Sequence, residues 1–199
     1  MARRAESEQN RLSQLAREYL EKRGVTVVEI AAIVYDLQKP YIPELTLEAC
    51  IESVYRVLDK REVQNAIFTG VTLDRLAECG LLEEPLQTFV FSDDGLYGID
   101  EVLALSIVNI YGSIGFTNFG YLDKVKPGAI GLANGGAPDC PWTASKNDAS
   151  ERTVRPTKEG RPSRDKKQVN TFLDDIISAI AAAAAARIAH QSRDGKLSC

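Results

Sequence analysis

Apolar residues in this chain recur at helical spacing almost throughout, and at strand spacing almost nowhere. Between residues 8 and 23, Leu12, Leu15, Ala16, Tyr19 and Leu20 share one helical face, and Gly24 supplies a stop. Thr26 and Glu29 stand at capping-box spacing ahead of a second helix through Ile30, Val34 and Leu37. Pro40 and Pro43 break the chain, and Thr46 caps a third helix carrying Cys50, Ile51, Val54 and Leu58. Asp59 with Glu62 predicts another capping box and a fourth helix that Gly70 stops, after which Thr72 opens a short helix closing at Gly80. "EEPLQTFVF" reads as one more short helix. Residues 98–114 read as the central buried helix, "GSIGFTNFG" as an interruption, 121–125 as a further helical turn, and 171–190 as the last helix, packed against 98–114. No two alternating segments are joined by a hairpin turn. The expectation is an all-α, multihelical fold, one helical domain over residues 1–199.

Other features narrow the class. Of 199 residues 44% are hydrophobic, enough for a core, and the net charge of −4 gives no global sign of nucleic-acid binding. Cys50, Cys79, Cys140 and Cys199 include no C-x-x-C pair, so a zinc site is not expected, and Cys50 and Cys79 read as small apolar helix residues. The start, "MARRAESEQNR", lacks the apolar region of a signal peptide, and no stretch reads as the roughly 18–20 uncharged apolar residues of a membrane span. A cytoplasmic location follows, with peripheral contact at the inner membrane face left open. Residues 134–168 differ from the rest: eight Lys/Arg against five Asp/Glu and almost no apolar pattern predict a mobile basic insert. It reads as a solvated loop or as a contact for anionic phosphate or lipid headgroups.

Five carboxylates and a lysine carry the functional signal. Asp100 and Glu101 open "GIDEVLA", Asp123 precedes Lys126 and Pro127 in "YLDKVKP", and Asp174 and Asp175 open "LDDIISAIAAA". Carboxylates beside apolar helix are costly unless they pair or hold a cation. Convergence of the three clusters would make a hard-cation site, and Mg²⁺ takes oxygen ligands from a few carboxylates, water and substrate phosphate. Taken singly, each acidic pair is more simply explained by the positive end of a helix dipole. Asn109 and Asn118 read equally as satisfied amides or as polar wall groups. His190 reads as a cation at a helix C-terminus.

The three motifs in this order turn the balance, because together with "KREVQNAIFTG" they resemble the phosphatidylglycerophosphatase A family, and most of all its soluble Gram-positive branch of low-temperature-requirement C proteins. The resemblance covers nearly the whole chain except 134–168. It implies Mg²⁺-dependent hydrolysis of the phosphomonoester of phosphatidylglycerophosphate. By matching motif, Asp100, Glu101, Asp123 and Asp175 are the expected metal ligands, and Asp123, Lys126 and Asp174 the expected catalytic residues. Membrane members of the family have transmembrane helices and a Gly/Pro-rich N-terminal motif that this sequence lacks, so a soluble phosphomonoester and a non-catalytic scaffold stay open beside the lipid. Self-association is also open. No C-x₅-R pair of a cysteine phosphatase is expected, no D-x-D-x-T motif occurs, and a single histidine excludes mechanisms that need two.

Overall fold

The structure, a computed structural model, describes residues 2–133 and 168–194, with side chains from Glu8 onward. Among these residues there is no strand. Nine α-helices follow in order: α1 (Ala2–Glu21), α2 (Val27–Gln38), α3 (Leu47–Leu58), α4 (Arg61–Glu78), α5 (Leu86–Ser92), α6 (Ile99–Val108), α7 (Gly112–Val125), α8 (Ala129–Ala133) and α9 (Leu173–Arg193), with a 3-10 turn, Asn109–Tyr111, between α6 and α7. The insert expected at 134–168 lies outside the described residues apart from Gln168.

Local sequence explains most boundaries. The Thr26–Glu29 capping box forms as expected, and the Thr46 hydroxyl accepts the Ala49 N–H at 3.2 Å. Gly24 ends α1 at φ +82°. Three expectations fail. Asp59 instead closes α3, and Lys60 precedes α4 without a side-chain cap. Cys79 is exposed rather than apolar filling. Gly70 does not stop a helix, and the separate helix expected after it is part of α4, which runs on to Glu78. The reason is packing: a Cβ at position 70 would lie 2.5 Å from Ile176 Cδ1 and 2.9 Å from Phe172 Cβ, so only glycine lets α4 and α9 touch there. Glycine inside a helix normally costs about 1 kcal/mol against alanine. Here the sign reverses, and Gly70→Val should destabilise by roughly 1–3 kcal/mol through overpacking. An unchanged urea midpoint for that variant would contradict this contact.

The central helix is α9, not 98–114. Every residue from Leu173 to Ala186 is buried, and α2, α3, α4, α6, α7 and α8 all pack on it. The alanines at 181–186 have high helix propensity and the small size that lets so many neighbours close in. Asp74 caps this helix from another element: its two carboxylate oxygens accept the Phe172 and Leu173 N–H groups, each at 3.1 Å.

The 98–114 reading is corrected in a second way. By length and composition the stretch Ile99–Val125 could cross a membrane, which the sequence reading did not anticipate, yet only 28% of its most apolar window is buried. "GSIGFTNFG" does not interrupt a helix; it forms most of α7. The interruption is at Gly112, whose φ of +70° and ψ of −160° end the 3-10 turn. Asp100 at the start of α6 and Asp123 near the end of α7 line one cleft. A straight helix would hold them roughly 35 Å apart, so α6 and α7 must form a hairpin. Its legs have 10 and 14 residues. Those lengths correspond to about 15 and 21 Å, each short of a ~30 Å hydrocarbon core.

Candidate active site

The open end of that hairpin meets the N-terminus of α9. There Asp100 and Glu101 from α6, Asp123 and Lys126 from α7 and its C-cap, and Asp174 and Asp175 from α9 line a single cleft of about 150 Å³. All six residues singled out in the sequence are therefore brought together. Asp93, Asp94, Gly95, Gly98 and Thr171 complete the wall and were not foreseen.

Each side chain is aimed by local backbone. Lys126 closes α7 in the left-handed region at φ +48°, unusual for a residue with a Cβ, and its N–H bonds Leu122 O at 2.7 Å. That turn carries the ammonium into the cleft. Its Nζ donates to Asp174 Oδ2 at 2.6 Å and lies 3.5 Å from Asp123 Oδ1. Gly131 keeps the turn tight, since a Cβ there would sit 2.6 Å from the Lys126 carbonyl oxygen. Asp174 and Asp175 occupy the first turn of α9, where the helix dipole favours anions. Successive residues point about 100° apart on a helix, so Asp174 engages the lysine while Asp175 faces elsewhere in the cleft. The sequence left open which of the two is which.

The electrostatics are those of crowded like charges. Burial, then the neighbouring Asp174, Asp100 and Asp123, push the Asp175 carboxyl up to about 8, with Lys126 opposing. Asp100 is raised by burial, with Asp93 and Glu101 adding to the effect, although its Oδ1 accepts the Glu101 N–H at 3.0 Å. On Lys126 burial acts downward, but the hydrogen bond and the charges of Asp174, Asp123 and Asp175 outweigh it, and the ammonium is raised. A cation among these carboxylates would relieve the repulsion. The donors are all oxygen, as a hard ion requires. Among the described residues no three His, Cys, Asp or Glu side chains are drawn into a ready-made cage. Mg²⁺ keeps several waters and binds through one or two carboxylates plus substrate oxygens, so it does not require such a cage.

Asp74 is the important residue that the sequence reading missed. It is fully buried on the apolar stripe of α4 that also carries Gly70, Val71 and Ala77, and a carboxylate on such a stripe is itself a signal. Burial lifts it to about 8, against the two N–H groups it accepts and the charge of Arg23. Next to it, Glu78 pairs with Arg23 at 2.8 Å and accepts the Val169 N–H at 2.9 Å. Arg23 also donates to Val169 O and to Asn170 Oδ1, and Asn170 Nδ2 donates to Ala133 O at 2.8 Å. These bonds fix the segment that enters α9.

Other candidates lie elsewhere. Asn109 is exposed, Asn118 has a buried Nδ2 without a hydrogen-bond partner, and neither lines the cleft. His190 is in the last turn of α9, at the helix C-terminus where it was expected, more than 20 Å along the helix from Asp175 by helical rise. One correction concerns cysteine. Cys50 and Arg56 do stand at C-x₅-R spacing, but Cys50 is buried within α3, where burial raises its thiol to about 11, and Arg56 pairs with Glu52. This is a helix, not an anion-binding loop, and the thiol is no nucleophile.

The chain resembles known proteins over most of its length. A family model described as phosphatidylglycerophosphatase A matches residues 15–139, which include the α6 and α7 clusters but not Asp174 and Asp175. The uncharacterized protein YutG of Bacillus subtilis is 49% identical over 190 residues, 94% of this chain and 98% of its own. A solved structure of a protein of unknown function from Bacillus stearothermophilus is 53% identical with TM-score 0.73, covering 90% of this chain and 94% of its own. That of the low temperature requirement C protein from Listeria monocytogenes is 48% identical with TM-score 0.75, covering 92% and 98%.

Proposed function

The chain belongs to the phosphatidylglycerophosphatase A family, and on that premise we propose that its acidic cleft hydrolyses a phosphomonoester, with phosphatidylglycerophosphate going to phosphatidylglycerol as the leading substrate. The observation that carries this reading is the convergence of carboxylates from α6, α7 and α9 around one lysine in one cleft. Mg²⁺ supplies charge neutralisation and a more acidic bound water when present, and Asp100, Glu101, Asp123 and Asp175 are the residues that would hold it. Lys126 binds a phosphate oxygen as a point charge. Asp174 and Asp123 keep its Nζ fixed in the cleft, so its charge is preorganised before substrate arrives. Water attacks phosphorus as a carboxylate of the cleft takes one of its protons, the ester P–O bond breaks, and that proton passes to the departing alkoxide oxygen, which leaves as the alcohol.

The cleft's size, about 150 Å³ with walls of mostly charged side chains, suits the phosphate-bearing end of a substrate and leaves the remainder outside. For that reason a small soluble phosphomonoester is the competing substrate. Phosphate release from phosphatidylglycerophosphate in detergent and from soluble phosphomonoesters, with Mg²⁺ and with chelator, separates the two. Chelator-sensitive release is expected, at the higher kcat/KM for the lipid. Release from soluble esters alone would move the substrate, and no release from either would favour a non-catalytic scaffold.

A further inference from the structure

The cleft carries more negative charge than a single divalent cation can offset. Among the described residues it is lined by seven carboxylates and one basic side chain, Lys126, a formal charge of −6 with all of them ionised. Lys126 serves Asp174 and Asp123. Asp93, Asp94, Asp100, Glu101 and Asp175 make no ion pair among the described residues. Asp175 is the sharpest case. It is 4% exposed, it lines the cleft, and no hydrogen bond reaches its side chain from any described residue. A buried carboxylate that nothing neutralises is costly, and a cation in the space before it would remove that cost.

The wall opposite α7 and α9 comes from the loop between α5 and α6. Asp93 ends α5 in the left-handed region at φ +57°. Asp94 Oδ1 accepts the Leu96 N–H at 2.9 Å, and its carbonyl accepts the Tyr97 N–H at 2.8 Å. The Tyr97 ring meets Phe172 edge-on, 5.9 Å between centroids, which holds this loop against the entry to α9. Asp93 and Asp94 are thereby set on the cleft wall. The charge of Asp93 is felt at Asp100, and those of Asp100 and Asp123 at Asp175. These carboxylates form one row across the cleft. The row closes into no three-carboxylate cage among the described residues, so an ion on it would keep waters, as Mg²⁺ does. Charge decides how many ions the row takes. One divalent cation leaves −4 on the cleft, and a second halves that to −2. A phosphomonoester brings about −1.5 to −2 of its own near neutral pH, so with one ion it meets strong repulsion. Paired ions about 3.5–4 Å apart are a general solution for phosphoryl transfer, one at the attacking oxygen and one at the leaving oxygen. A cleft of about 150 Å³ has room for such a pair.

We propose that the cleft takes two divalent cations, one held by Asp175 and Asp123 and the other by Asp93 and Asp94, with Asp100 between them. The use of the second ion rests on the phosphatase reading, but its binding is measured without any activity. The probe is Mn²⁺, which suits the same carboxylate and water ligands as Mg²⁺. It is titrated to millimolar concentration into the full chain and followed by electron paramagnetic resonance. Two bound ions per chain with a spin-coupled signal are expected. Asp93→Asn together with Asp94→Asn should remove one of the two ions and the coupled signal. Both side chains are exposed, and asparagine tolerates the left-handed region, so helix content should be kept. Asp93→Asn alone should weaken the second ion at least about tenfold, which even a partner outside the ligand shell typically costs. The proposal is overturned if the wild-type chain binds one ion or none, or if it binds two and neither variant changes that, even where Mg²⁺-dependent phosphate release is found. Two ions in the wild type and one in the double variant, with no phosphate release, would uphold the paired site and remove the phosphatase reading instead.

Discussion

Replacing Asp74 by alanine should lower stability by roughly 2–5 kcal/mol, the expected result of leaving two buried N–H groups unpaired at ~1–3 kcal/mol each. Phe172 and Leu173 donate those groups, and both residues are fully buried, so water cannot replace the carboxylate. Urea denaturation checks this, and a loss under ~1 kcal/mol would mean that α9 does not depend on its cap from α4. The pH dependence has a definite sign. Burial raises the folded carboxyl to about 8, well above its ordinary value near 3.8. A raised carboxyl holds its proton more tightly in the folded state, so its contribution is present below the ordinary value and fades as pH rises towards 8. Wild-type stability should therefore decline over that window more steeply than that of Asp74→Asn. Equal slopes would show that Asp74 does not titrate there.

Asp74 also marks where sequence reading reached its limit. Helical periodicity and caps such as Thr26 and Thr46 depend on neighbours within one turn, and those features were legible. The three acidic motifs were legible for a different reason: their residue types are costly beside apolar helix whatever the fold. What stayed hidden depends on contacts distant in sequence. Gly70 looks like a stop until Phe172 and Ile176 are seen against it. Residues 98–114 look like a core helix because apolar composition does not distinguish burial in one's own core from an exposed apolar face. The single turn at Gly112 reverses the chain and brings Asp123 back to Asp100. Nothing near Gly112 in sequence announces a reversal rather than a continuing helix. The pairing of Lys126 with Asp174, 48 residues away, likewise needs the folded chain.

That pairing shapes the last expectation, which rests on the proposed phosphatase reading. Lys126→Ala should slow phosphate release by ~10²–10³, the scale of losing one preorganised electrostatic contact. The variant also removes the ammonium that bonds the buried Asp174 at 2.6 Å, so stability should fall as well, and lower activity alone would be ambiguous. The double variant Lys126→Ala with Asp174→Ala separates the two effects. The double variant takes away the buried carboxylate together with the ammonium that faced it, so stability should return towards wild type. Activity should not return, because the point charge on the phosphate is still missing. Asp123→Asn provides the comparison at a partly exposed position, 31% by side chain, where stability is insulated and only the cleft's chemistry is altered. It should lose as much activity as Lys126→Ala, and raising Mg²⁺ should restore it only in part if that carboxylate helps to hold the ion. Phosphate release within about threefold of wild type in either single variant would be far below that scale. It would remove Lys126 and Asp123 from the chemistry and leave the acidic cleft as a structural feature of a scaffold.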